Sequence, residues 1–423
     1  MGLIKLSLVS LKKDLSKSMF YFLTFLLTTI FIFSFFNLVF YPGANINLGK
    51  DDGTFVTPIA VFVIVIAMVC VFLANNFYVS HKGKEISIIL MSGASVFQLG
   101  IYLFFQVFLI MILAIPLGLL LGYLLIPFVN MIFASTFAYQ GSMFYLSSQT
   151  LVATGAILLF EVFWCSLLNL GYCVRSTINS MMNQENQIDL SGIKGPAISH
   201  RLFIACYFMP PVIFLFLKDS MSFLLFSLVG LIGIFGLIKK VLPDYIEKRQ
   251  RNESLQDPVQ LIALGFFHSD IQKVFGLLII MLLSSIILTC VTVYTLNQPL
   301  VSMVALMSYI SVMILMSLTI VFKIGMELNK RKKNFINLCR LGYSIEQLKQ
   351  TIHLEMKLFY GLILVLPLVY QVIILLNLLF RQQVTLYFVM IIFVIQIVPV
   401  VISYLISVRL YHTIIPESVI EKR

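Results

Sequence analysis

The chain has 423 residues, 60% hydrophobic and only 11% charged, with a mean hydropathy of +1.02. A soluble chain carries about 25% charged residues, so this composition excludes a water-facing surface around one soluble core, and with it the disordered, collagen-like and disulfide-scaffold classes. Lys and Arg outnumber Asp and Glu by 29 to 18, an excess that in a polytopic chain reports orientation and anionic-lipid contact rather than nucleic-acid binding.

A basic amphipathic stretch, Leu3 to Lys17, opens the chain without a small-residue cleavage site and is expected on the inner membrane surface. Ten apolar runs suited to a bilayer core of about 30 Å follow, near 19–40, 57–79, 101–126, 149–174, 202–217, 220–241, 274–294, 300–322, 358–379 and 384–408. The expected fold is therefore an all-α polytopic membrane protein with ten transmembrane helices. The fifth run is the shortest and carries Pro210-Pro211. With both termini in the cytoplasm, 26 of the 29 Lys and Arg fall inside and only Lys50, Lys218 and Arg381 outside, a split that one misplaced span would scramble. The six cysteines lie within helices or on their inner side, which gives no extracellular disulfide framework.

Within span 3, Pro116-x-Gly118-x-x-x-Gly122 offers a flat packing face and a weakened backbone bond, and Pro367 holds a similar place in span 9; hinging and plain packing are both open readings. The uncharged outer segment Phe128 to Ser148 carries Phe133, Phe137, Tyr139, Phe144 and Tyr145, an aromatic belt or a lateral opening for an amphiphile. Glu161 is the one acidic residue near the middle of a span, where ionisation costs at least about 2.5 kcal/mol. It is expected to be protonated or hydrogen-bonded, with Gln106, Asn169 and Gln396 as candidate neighbours. It could line a substrate path, relay a proton, or bridge two helices as a neutral acid. No histidine has metal-ligand spacing, and no nucleophile elbow appears.

Two inner connections repeat one another. With Gly93 set over Gly342, His81-Lys82-Gly83-Lys84-Glu85-Ile86 lies over Lys330-Arg331-Lys332-Lys333-Asn334-Phe335, and Ser92-Gly93-Ala94-Ser95 over Leu341-Gly342-Tyr343-Ser344, at a constant offset. Each copy is expected to be a short inner-surface helix between two spans, broken at its glycine and followed by a serine N-cap. Both copies face inward, so spans 2–4 and 8–10 read as repeats of one orientation rather than an inverted pair. Gln260 to Ile271 echoes the pattern weakly before span 7.

The stretch from Lys82 to Ser95 and its second copy resemble the FtsX-like permease domain of bacterial ABC transporters. The duplication and ten spans resemble the long permeases of the bacitracin and antimicrobial-peptide (BceB-like) type, but the connection after span 7, about Thr295 to Pro299, leaves no room for their large extracellular domain. The resemblance implies four parts: 1–56, an interfacial helix and span 1; 57–180, a first permease domain; 181–299, linking spans 5–7; and 300–423, a second permease domain and tail. It also implies a separate cytoplasmic ATPase, two copies per permease, that holds ATP and Mg, because the phosphate loop G-x-x-x-x-G-K-[ST] is missing here: neither Gly49-Lys50 nor Gly83-Lys84 has the upstream glycine. Lys82, Lys84, Glu85, Arg331 and Lys333 are the expected polar contacts to that ATPase, with Gly93 and Gly342 as backbone breaks. The implied function is export or extraction of an amphiphile, an antimicrobial peptide, a lipid or a lipid-linked molecule, across a bacterial cytoplasmic membrane. The alternative is a regulator that passes ATP-driven motion to a membrane histidine kinase or cell-wall hydrolase without moving solute; an ion-coupled carrier built on Glu161 is a third class.

Overall fold

A computed structural model describes residues 7, 9–11, 15–40, 53–137, 142, 144–175, 199–217, 220–252, 258–296 and 298–420. Part of the expected interfacial stretch, the first outer connection over 41–52, Tyr139, and the linking segment over 176–198 lie outside the described residues. The described residues form α1 (Leu15–Val39), α2 (Gly53–His81), α3 (Gly83–Met91), α4 (Val96–Phe137), α5 (Ser148–Arg175), α6 (His200–Phe214), α7 (Ser220–Gly236), α8 (Leu242–Asn252), α9 (Pro258–Tyr294), α10 (Pro299–Arg340), α11 (Ile345–Phe380) and α12 (Leu386–Ile420). A π-helical turn, Leu237–Val241, joins α7 to α8. Among these residues the chain is all-α, and nine helices are long and apolar enough to cross a membrane. It is a multi-pass membrane protein.

The burial pattern fits that setting. Val152, Leu159, Phe160, Phe163 and Leu167 turn outward from α5, while Thr150, Thr154, Glu161, Cys165 and Asn169 of the same helix are buried. Exposed side chains this apolar would drive a soluble protein to associate; against hydrocarbon they are the solvated face, and the polar groups are kept for the interior.

One expected span differs. The fifth apolar run folds as α6, only 15 residues long, which at 1.5 Å per residue reaches about 22 Å against a core of about 30 Å. Pro210 and Pro211 lie inside the helix, which continues to Phe214, and the pair removes two backbone donors in succession. The ten expected spans are thus nine full-length helices and one short apolar one.

The chain divides into two compact units, Met1–Leu190 with Gln298–Leu315, and Ser191–Asn297 with Met316–Arg423. In the first, α1 packs against α2, α4 and α5, and α4 against α5. Gly118 and Gly122 account for the closeness of α1 and α4: a Cβ on Gly118 would lie 2.7 Å from Thr29 Cβ, and one on Gly122 2.7 Å from the Phe33 ring. Helix α4 runs unbroken through Pro116, and α11 through Pro367.

In the second unit α9 packs on α11, α11 on α12, and the short α6 on α7. Gly233 and Gly236 make that last contact possible, since a Cβ on Gly233 would sit 2.4 Å from the Tyr207 backbone nitrogen, while Gly230 leaves room for the Tyr370 ring of α11. Tyr207 also donates to the Leu366 carbonyl at 2.9 Å, and Tyr370 donates to the Tyr207 carbonyl at 2.6 Å. Asn377 donates to the Phe214 carbonyl at the end of α6. These bonds fasten the short helix to α11.

Candidate coupling site

Both inner repeats end in the same local structure. At the first, the Gly93 amide donates to the Leu90 carbonyl at 3.0 Å and the Ala94 amide to the Ile89 carbonyl at 3.4 Å; at the second, Gly342 donates to Cys339 and Tyr343 to Leu338, both at 3.1 Å. This is the Schellman closure of a helix, in which the residue after the cap adopts left-handed backbone. Gly93 has φ +94° and Gly342 φ +101°, a region open to glycine and strained for other residues. The following helices begin with capping boxes: Gln98 N–H to Ser95 Oγ at 3.2 Å with Ser95 N–H to Gln98 Oε1 at 2.9 Å, and the same pair of distances for Gln347 and Ser344. The two glutamines were signalled by the S-x-x-Q spacing, which the serine reading alone overlooks.

The segments before the two turns differ. The first is a separate nine-residue helix, α3, entered through a break at Lys82. The second is continuous with its span, because α10 runs 42 residues from Pro299 to Arg340, about 63 Å at 1.5 Å per residue. The expectation of a short separate helix therefore fails for the second copy. Leu, Lys, Arg, Met and Glu are good helix formers, and the helix continues through Gly325 to Arg340; Lys332 stands where the first copy has Gly83. The weak echo over Gln260–Ile271 lies within the unbroken α9.

Of the five charged residues expected to face an ATPase, Lys82 and Arg331 are buried and Glu85 is half-buried. Lys82 is 2% exposed, its Nζ 2.8 Å from Ser10 Oγ and 2.9 Å from Glu85 Oε2. Glu85 also accepts from Tyr102 at 3.0 Å, and Gln106 donates to Ser10 at 3.1 Å and to the Tyr102 hydroxyl oxygen at 2.7 Å. Burial works against the ionised form of Glu85, but hydrogen bonds from Ser10, Lys82 and Tyr102 and the Lys82 charge outweigh it and hold the carboxyl below the usual range. Ser7 is buried too, with its hydroxyl on the Tyr102 carbonyl, so the described part of the opening stretch packs against α4.

Arg331 stands 249 residues after Lys82 and is 3% exposed. Its guanidinium pairs with Asp270 of α9 and, at 2.7 Å, with Glu355 of α11. It also lies 4.4 Å from the centre of the Phe266 ring and 5.9 Å from that of Tyr411, within cation–π range. One turn earlier, Lys323 Nζ sits 2.9 Å from Glu327 and Lys273 3.6 Å from the same carboxylate. Three cations and three carboxylates from α9, α10 and α11 are thus balanced in one cluster. Only Lys84 and Lys333 face outward, as do Gly93 and Gly342.

Glu161 is fully buried, and among the described residues neither carboxyl oxygen has a hydrogen-bond partner. Of its expected neighbours, Asn169 shares its helix face but accepts from Asn75 at 2.7 Å, which in turn accepts from Tyr21 at 2.8 Å. Gln106 belongs to the Lys82 network, and Gln396 to the second unit, where Ser285 donates to it at 2.8 Å and Gln371 donates to Ser285 at 3.0 Å. A carboxyl buried without donors is stable only when neutral.

Residues 58–171 match the family described as FtsX-like permease C-terminal. A comparison with curated proteins finds no match.

Proposed function

We propose, from the match of residues 58–171 to the FtsX-like permease family, that the chain is the permease subunit of an ABC transporter and transmits ATP hydrolysis by a separate cytoplasmic ATPase, two copies per permease, to the extraction or export of an amphiphile from the membrane. The observation that carries the reading is the match over 58–171 together with a second, identical Schellman turn and capping box 249 residues on. ATP and Mg belong to the ATPase. In this chain Lys84 with the Gly93 turn and Lys333 with the Gly342 turn are docking surfaces, each of its own unit, and an open groove of about 450 Å³ beside the second turn, lined by Leu261, Ile262, Gly265, Phe266 and Leu338 with Asn334 and Asn337, gives a partner a largely apolar seat.

The remaining parts of the reading rest on sequence. The 26-to-3 charge split favours a bacterial cytoplasmic membrane with both termini inside. It also favours a crossing by α6, accommodated by local bilayer thinning. The tight connection from Tyr294 to Pro299 leaves recognition to the bilayer, which favours antimicrobial peptides, lipids or lipid-linked molecules. Purification of the chain with its genomically adjacent ATPase, for wild type and a Lys84→Glu/Lys333→Glu variant, tests the reading. Co-elution and ATP turnover in the wild type, both lost in the variant, are expected; a wild-type chain that binds no ATPase overturns it. Neighbouring kinase or hydrolase genes, with turnover but no solute movement, would turn the reading toward regulation of such a partner.

A further inference from the structure

The two inward-turned cations have a common design. Lys82 and Arg331 stand at the same place in the repeat, each eleven residues before the left-handed glycine. Each is almost fully buried, and each ties the segment before the turn to two other parts of its own unit. Lys82 bonds Ser10 from the opening stretch, and through Glu85 reaches Tyr102 on α4. Arg331 bonds Asp270 on α9 and Glu355 on α11, with Tyr411 of α12 against its flat face. Neighbouring repeat positions have changed partners: position 85 is a glutamate in the first copy and its equivalent is Asn334, while Gln106 of the first copy is replaced by Glu355 in the second. The carboxylate thus moves from the segment itself to the next helix, yet the buried cation stays.

A glycine turn by itself is a poor transmitter. Its φ is held by no side chain, and a push delivered to the segment before it would be absorbed there. Arg331 cannot leave Asp270 and Glu355, which stand on other helices, without being stranded unpaired in a low-dielectric interior; the Lys82–Glu85 pair lies within its own segment, and there displacement would instead strip the pair of its bonds to Ser10 and Tyr102 and leave buried polar groups unsatisfied. The segment can therefore move only together with the helices that hold its cation.

We propose that Lys82 and Arg331 are positioning residues that lock the two inner segments to their helix bundles, so that displacement of a segment moves the spans rather than the glycine turn. The inference rests on the permease reading given above. Neither residue touches substrate or nucleotide; both act through the carboxylates and hydroxyls they hold.

The test uses the full chain in complex with its ATPase, in lipid nanodiscs. Spin labels are placed within the second unit, at exposed Leu341 beside the glycine turn and exposed Tyr387 at the start of α12, with the six native cysteines replaced by alanine. In the wild type, ATP is expected to leave this intra-unit distance unchanged, because segment and bundle move as one body. In Arg331→Met, ATP turnover and co-elution are expected to stay within about twofold of wild type, while the distance shifts on ATP addition and substrate-independent turnover is no longer matched by bundle motion. Arg331→Lys is expected to restore the fixed distance. Should Arg331→Met fail to fold, Glu355→Gln keeps Arg331 paired with Asp270 and loosens only the α11 tie, and it is expected to give the shift in reduced form. A distance that responds to ATP identically in wild type and variants overturns the lock. A wild-type chain that recruits no ATPase overturns the permease reading instead.

Discussion

Replacing Arg331 by Met removes one guanidinium from between two carboxylates. Arg331, Asp270 and Glu355 have side-chain exposures of 3%, 7% and 0%, so water cannot take over the lost partner. Truncating one member of a buried ion pair costs about 3–5 kcal/mol, most of it the stranded opposite charge, whereas replacing a whole buried charged set by neutral groups of similar size is often close to neutral. The single variant Arg331→Met should therefore lose about 3–5 kcal/mol, and the triple variant Asp270→Asn/Arg331→Met/Glu355→Gln should recover most of that loss. Unfolding in mixed micelles of detergent and SDS, followed by circular dichroism, measures both. A single variant within about 1 kcal/mol of wild type, or a triple variant no better than the single, would refute the account of the cluster, because either result means the charges are not desolvated together.

The remaining predictions follow from single contacts. Gly342→Ala meets no neighbouring atom, so its cost is the left-handed φ alone, about 1–2 kcal/mol; the same unfolding assay with Gly276→Ala, a helix-interior site with open space for a Cβ, should show a gain of about 0.5–1 kcal/mol. Gly233→Ala should detach α6 from α7, since the added Cβ would stand 2.4 Å from the Tyr207 backbone; increased hydrogen exchange confined to 200–214 would report it. Glu161→Leu should stabilise the first unit by about 1–3 kcal/mol, because it removes two buried carboxyl oxygens that have no hydrogen-bond partner among the described residues, and a loss of stability would mean that Glu161 has a partner. Glu85 has a carboxyl lower in the folded state than in the unfolded one. Its contribution is thus present above the ordinary carboxylate range and fades as pH falls through the lower, folded value. Glu85→Gln should flatten the acid limb of a stability–pH profile and leave the neutral region shifted by a constant.

The sequence by itself determined that this is a polytopic helical membrane protein, because apolar runs of bilayer length and the one-sided placement of Lys and Arg are properties of composition and order alone. It also determined the repeat and its glycine turns: left-handed backbone and an N-cap depend on a few adjacent residues, and Gly93, Ser95, Gly342 and Ser344 behave as their local chemistry dictates. Only the tertiary structure decided which way the charges face. Lys82 and Lys84 are two residues apart, as are Arg331 and Lys333, and nothing in those spacings says that the first of each pair is buried, because its partners Ser10, Asp270 and Glu355 come from distant segments. The length of α6 was likewise set by packing: an apolar run interrupted by two prolines can be stretched across a bilayer or folded short, and Gly233 and Tyr370 favour the short helix by holding it against its neighbours. Glu161 was legible as an exception in the sequence, but its isolation was not, since the absence of a donor is a property of every helix that surrounds it.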